Sequence, residues 1–63
     1  MKVKDIIKRM TNGAAHLYLI DSDDGIVYLK TIWYNEIPLQ FLDYEVDTIE
    51  IRDYEIRLGV HHE

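Results

Sequence analysis

Residues 15–33 read Ala15-His16-Leu17-Tyr18-Leu19-Ile20-Asp21-Ser22-Asp23-Asp24-Gly25-Ile26-Val27-Tyr28-Leu29-Lys30-Thr31-Ile32-Trp33, and this stretch decides the fold. Ala15 to Ile20 alternates, with Leu17 and Leu19 pointing one way and His16, Tyr18 and Ile20 the other. Ile26 to Trp33 is rich in β-branched and aromatic residues, which suit a pleated, half-buried strand. Asp21 to Gly25 supplies the turn between them, with Asp24-Gly25 a favourable hairpin pair. Two strands joined by a loop of about five residues make an antiparallel hairpin.

Upstream, Val3, Ile6, Ile7 and Met10 recur at the spacing of one apolar helix face, and Lys4, Asp5, Lys8 and Arg9 fill the solvated remainder. Asn12-Gly13 tolerates the left-handed conformation that ends helices, and Lys8 and Arg9 suit the negative pole of the helix dipole. Downstream, Pro38 followed by Leu39, Phe41 and Leu42 predicts a short helix within residues 34–43, capped by Asn35 or Glu36. An extended crossover bent at Pro38 is the rival arrangement. Asp47 to Arg52 and Ile56 to Val60 form a second predicted hairpin, turning at Asp53-Tyr54. Ile49, Ile51, Ile56, Leu58 and Val60 are expected to face the core, leaving Thr48, Glu50, Arg52, Glu55 and Arg57 in water. The order α-β-β-α-β-β predicts one α+β domain over residues 1–63, with a mostly antiparallel sheet packed by the N-terminal helix.

A chain of 63 residues and 7.5 kDa has room for one small core and no large enclosed active site. It has no cysteine, so disulfides and thiolate zinc sites are excluded. No apolar run approaches the roughly 20 residues that span a bilayer, and the first residues lack a secretory signal, so the expected location is the cytosol. The net charge is −5. Residues 1–10 contribute +3, whereas residues 21–63 hold three basic groups against eleven acids, for −8. Such a field repels phosphate backbones, and direct nucleic-acid binding is not expected.

Catalysis has little to work with. The only serine is Ser22, in an acidic turn, and His16, His61 and His62 have no partnering nucleophile. Asp21 to Gly25 resembles the start of a calcium loop, but its glycine is at the fifth position and Ile32 stands at the twelfth. His61-His62-Glu63 makes a poor first shell for a metal. Neither an enzyme nor a cofactor is expected.

Surfaces carry the remaining signal. With Leu17, Leu19, Val27 and Leu29 inward, the first hairpin turns His16, Tyr18, Ile20, Ile26, Tyr28 and Ile32 the other way. The first helix is expected to cover one face and the short second helix to cap part of the other. What stays uncovered is an apolar and aromatic interface surface, with His16, Tyr18, Tyr28, Trp33 and Tyr34 its contact residues and a homodimer or higher oligomer one outcome. Asp43, Glu45, Asp47, Glu50, Asp53 and Glu55 fall within thirteen residues and form a candidate acidic contact surface that imitates a phosphate track.

Val3-Lys4-Asp5-Ile6-Ile7, a strand ending Tyr18-Leu19-Ile20-Asp21, and Ile37-Pro38 ahead of Leu42-Asp43-Tyr44-Glu45-Val46 together resemble small, largely uncharacterised accessory proteins of bacteriophages and prophages. Small acidic phage proteins include inhibitors of host defence such as anti-CRISPR proteins. The resemblance implies a role in the bacterial host cytosol and carries over no catalytic or binding residue. Trp33-Tyr34, where a shorter polar linker is expected, departs from it and marks a possible specific contact. The function expected is a non-enzymatic acidic interaction module that binds or inhibits a host protein with a basic surface. The alternatives are an oligomer sequestering a nucleotide through Tyr18, Tyr28, His16 and Arg57, and a purely structural assembly subunit.

Overall fold

A computed structural model describes residues 1–10 and 15–62. The expected helix stop at Asn12-Gly13 lies outside the described residues, as does Glu63. The elements are α1 (Val3–Ile7), β1 (His16–Asp21), β2 (Val27–Thr31), a 3-10 turn (Tyr34–Glu36), α2 (Leu39–Leu42), β3 (Glu45–Arg52) and β4 (Glu55–His61). The α+β class and the sequence of elements agree with the expectation, and the crossover contains a 3-10 turn and a single α-helical turn rather than extended chain. No helix among the described residues is long and apolar enough to cross a membrane.

The sheet is mixed: two of its three strand pairings are antiparallel, as expected, and the central one is parallel. Its strand order is β2-β1-β4-β3, with antiparallel hairpins at both sides and a parallel pair, β1 with β4, at the centre. Two hairpins laid side by side through their inner strands require the chain to cross the full sheet between β2 and β3. Tyr34, Ile37 and Phe41 lie on this crossover and are buried against Val3, Leu17, Leu19, Leu58 and Val60. The last five are fully buried and come from α1 and the two central strands. Burial of side chains of this kind contributes roughly 1.5–3 kcal/mol each, the main favourable term in so small a domain.

Each short element has a local cause. Asp5 accepts the Lys2 N–H at 3.0 Å and so caps the start of α1, where its charge also suits the helix dipole. That bond, reinforced by Lys8 and Lys4, holds the Asp5 carboxyl below the usual carboxylate range. Asp21 accepts the N–H groups of Asp23 at 2.8 Å and Asp24 at 3.1 Å, and Asp24 accepts that of Ile26, so the acids of the first turn are its scaffold. Gly25 has φ 78° and Tyr54 φ 59°, so both hairpins turn through the left-handed region. Tyr54 adopts it at the Asp53-Tyr54 turn that the sequence marks.

α1 and α2 contact each other, and their buried residues join one core on one side of the sheet. The second helix therefore does not cap the other face. A bulge in β2 produces a second departure. Leu19 opposes Leu29 but Ile20 opposes Val27, which leaves Tyr28 as the extra residue and turns it to the packed side. There its ring stacks on Phe41 at 5.8 Å and meets Tyr44 edge-on, and its hydroxyl donates to Asp21. Val27, expected in the core, is instead half exposed. Ile49 and Ile51 lie on the packed side but beyond the helices, and both stay exposed.

Gly59 shows how tightly β3 and β4 approach. A Cβ built there would sit 2.3 Å from the Thr48 hydroxyl oxygen and 3.8 Å from Ser22 Cβ. Gly59→Ala should therefore destabilise the fold by about 1 kcal/mol, because Thr48 must leave its rotamer. In a Thr48→Ala background the same change should stabilise by about 0.4–1 kcal/mol through the unfolded state. Chemical denaturation of the four chains of this cycle measures the reversal of sign.

Candidate functional site

Among the described residues the helices leave one face of the sheet open. Register assigns its residues. His16, Tyr18 and Ile20 of β1 lie opposite Glu55, Arg57 and Gly59 of β4, while Tyr18 faces Lys30 and Ile20 faces Val27 of β2. Thr48, Glu50 and Arg52 of β3 complete it against Gly59, Arg57 and Glu55. Its centre is Tyr18. The Lys30 ammonium lies 5.4 Å from the Tyr18 ring centroid and the Arg57 guanidinium 5.2 Å, so two cations from neighbouring strands converge on one ring.

Beside Tyr18 the β3–β4 half carries four charges in a checkerboard. Along the strands Arg52 pairs with Glu50 at 3.1 Å and Arg57 with Glu55 at 2.9 Å. Across the strands Glu50 opposes Arg57 and Arg52 opposes Glu55. Each charge therefore has opposite neighbours in both directions, and the Glu55 hydrogen bond raises the Arg57 pKa above its ordinary value. A shallow groove over Gly59 separates this square from the first turn, bounded by Ile20, Asp21, Ser22, Thr48 and Arg57.

The six acids of residues 43–55 do not form one free surface. Asp43 pairs with Lys4 at 3.1 Å, Glu45 with the Met1 ammonium at 3.2 Å, and Asp47 with His61 at 2.6 Å. Glu50 and Glu55 belong to the square, which leaves Asp53 with no ion pair among the described residues. Asp43 and Glu45 thus pair with cations far away in sequence, Asp47 with a histidine, and Glu50 and Glu55 with the arginines two residues on. Lys4 and the N-terminus come from the basic segment that the sequence presents only as a solvated helix face. That distance along the chain hid the compensation.

Of the aromatic contact candidates, the structure leaves His16 and Tyr18 on the open face and Trp33 exposed at 55%. Tyr28 and Tyr34 are corrected. Tyr28 lies in the aromatic cluster of the opposite face, for the bulge described above, with its pKa pushed up to about 12 by the bond to Asp21. Tyr34 is 3% exposed and donates to the Ala15 carbonyl, closing the core at the start of β1. The four residues proposed for nucleotide sequestration thus do not share a face, since Tyr28 is separated by the sheet from Tyr18, His16 and Arg57.

A polar cluster that no local sequence pattern marks lies at one end of the sheet, where the ends of β1 and β4 meet the start of β3. Asp47, the extra residue of a β3 bulge between Val46 and Thr48, lies 2.6 Å from His61 Nδ1, with Ser22 beside the pair. Its carboxylate sits between serine and histidine, so the histidine is not placed to activate the hydroxyl, and the arrangement is a structural clasp. Among the described residues no group of three or more potential ligands is arranged to hold a metal ion. Ser22 and Asp47 lie far apart in sequence, and no local pattern marks them as neighbours.

The clasp gives a pH dependence of defined sign. Asp47 raises the His61 pKa above 6.5, while Ser22 and then His61 lower that of Asp47 below 3.8. The histidine term is fully present below pH 6.5 and is lost as pH rises through the raised folded value. The aspartate term is present above pH 3.8 and is lost as pH falls through its lowered folded value. Melting temperature measured across pH should fall on the alkaline side of this window, and His61→Gln should flatten that descent. An unchanged slope in the variant would show that His61 does not carry it.

Comparison of the chain with protein-family models, with curated proteins and with solved structures finds no match.

Proposed function

We propose that the chain is a non-enzymatic interaction module, a phage-type accessory protein that binds a larger bacterial host protein and blocks a basic surface on it. The observation that supports this reading is the helix-free sheet face with Tyr18 at its centre. Both helices cover the opposite side, so no other element among the described residues covers this face. Tyrosine and arginine are preferred anchors at protein interfaces, and Ile20 and Val27 extend the apolar contact beside them. The net charge of −5 favours a basic partner. The acids of residues 43–55 enter this reading as ion pairs that a basic partner exchanges, with Asp23, Asp24 and Asp53 contributing exposed charge.

The test uses a partner purified after capture from a bacterial host lysate, and compares two variants on opposite sides of the domain. Tyr18→Ala should weaken binding by about 30-fold or more, as for an interface anchor. Leu39→Ala, 82% exposed on the helix side, should leave it unchanged. Equal effects of the two changes would remove the open face from the reading. Association should slow as salt screens the field, with a Debye length of about 8 Å at physiological ionic strength. Neutralising Asp43, Asp47 and Glu50 should lower the on-rate, whereas Lys4→Gln should raise it by releasing Asp43. An on-rate indifferent to salt would exclude a basic partner.

A further inference from the structure

The two edges of the sheet are unlike. β2 is interrupted by its bulge at Tyr28 and carries Lys30, two features that discourage edge pairing. Among the described residues β3 is protected only at its start, where Lys2 bridges Glu45 and Val46 donates to the Met1 carbonyl at 2.8 Å. From Thr48 to Arg52 it pairs only with β4 among the described residues. Ile49 and Ile51 on this segment are 50% and 77% exposed.

We propose that this free edge pairs with a second copy of the chain, antiparallel about a two-fold axis through Ile51, to make one continuous eight-stranded sheet from two four-stranded halves. Charge and coverage select the register. An axis normal to the sheet keeps both helix layers on one side and requires opposed side chains to share a face, so it must pass through a residue. At Glu50 it would oppose two carboxylates, and at Arg52 two guanidinium groups, each directly destabilising. At Ile49 it would set Glu50 against Thr48 and Arg52 against Val46 of the second copy, leaving both charges without an opposite partner across the junction, and Met1 already occupies the edge at Val46.

At Ile51 the paired segment is short, Glu50 to Arg52 of each copy, because Asp53 and Tyr54 belong to the turn before β4, and within it the pairing is complementary. Glu50 opposes Arg52 of the second copy, and Arg52 opposes its Glu50. The checkerboard then continues across the junction, because Glu50 already faces Arg57 and Arg52 already faces Glu55 within each chain. A row runs Arg57, Glu50, then Arg52 and Glu55 of the second copy, with alternating sign throughout. On the other face Ile51 meets Ile51, removing the most exposed isoleucine from water. Main-chain hydrogen bonds between residues 50–52 of the two copies supply the remaining attraction, as in strand addition generally.

The natural chain has no cysteine, so single thiols report the register directly. Opposed antiparallel residues have Cα atoms about 4.5–5.5 Å apart, within the range that a disulfide bridges. Ile51→Cys should therefore cross-link as a dimer under mild oxidation. Ile49→Cys should not, because its two copies lie about 13 Å apart along the strands. Sedimentation of the unmodified chain should show a concentration-dependent dimer. Ile51→Lys should return it to a monomer with an unchanged circular dichroism spectrum, and Tyr18→Ala should leave the dimer intact. A chain monomeric up to about 1 mM, a dimer that survives Ile51→Lys, or faster cross-linking through Ile49→Cys would each overturn the proposal. None of these outcomes bears on partner binding through the open face.

Discussion

Because β1 and β4 run side by side in the same direction, two hairpins that are each local in sequence become one sheet with a single buried strip at its centre. Leu17, Leu19, Leu58 and Val60 make that strip, and all four are fully buried. A parallel neighbour cannot be reached by a tight turn, so the chain must leave β2, cross the sheet and enter β3 at the far edge. The crossover passes over one face only. It brings Tyr34, Ile37 and Phe41 onto the strip from the same side as Val3 of α1, and the described residues include no further element for the opposite face.

From that asymmetry come the functional surfaces. The uncovered face is not simply apolar, because Lys30 and Arg57 close on Tyr18 and the β3–β4 charges neutralise one another in two directions. Such an arrangement keeps an open sheet face solvated while leaving ion pairs that can be exchanged at modest cost, since exposed pairs contribute only about 0–1 kcal/mol each. The two bulges divide the edges by role. The one at Tyr28 blunts β2 and adds an aromatic ring to the core, and the one at Asp47 ties β3 to His61 and Ser22 through the clasp.

The acid-rich run of residues 43–55 illustrates how net charge and local surface charge diverge. The chain retains −5, yet Asp43, Glu45 and Asp47 each lie against a cation or a histidine from another part of the fold. The field at a distance is acidic, whereas contact chemistry on the sheet is that of ion pairs and one tyrosine. The field governs encounter over a Debye length, and the pairs govern what forms at contact.

The amino-acid pattern alone determined the elements and their turns. The alternation at Leu17 and Leu19 and at Ile56, Leu58 and Val60, the Asp24-Gly25 and Asp53-Tyr54 turns, and the Pro38 helix are local signals, and each element forms within the segment they mark, although α1 ends at Ile7 while its apolar period runs on to Met10. The tertiary structure alone decided which strands are neighbours, that both helices share one face, and which way Tyr28 points. A bulge shifts the period of two by one residue and so exchanges faces for every side chain beyond it, and nothing in the composition of Val27-Tyr28-Leu29 announces it. Tyr34 likewise reads as an exposed aromatic until the crossover lays it on the core. The pairing of Asp43 with Lys4 and of Asp47 with Ser22 and His61 depends on contacts between distant segments, which arise only once the central parallel pair has fixed the order of the strands.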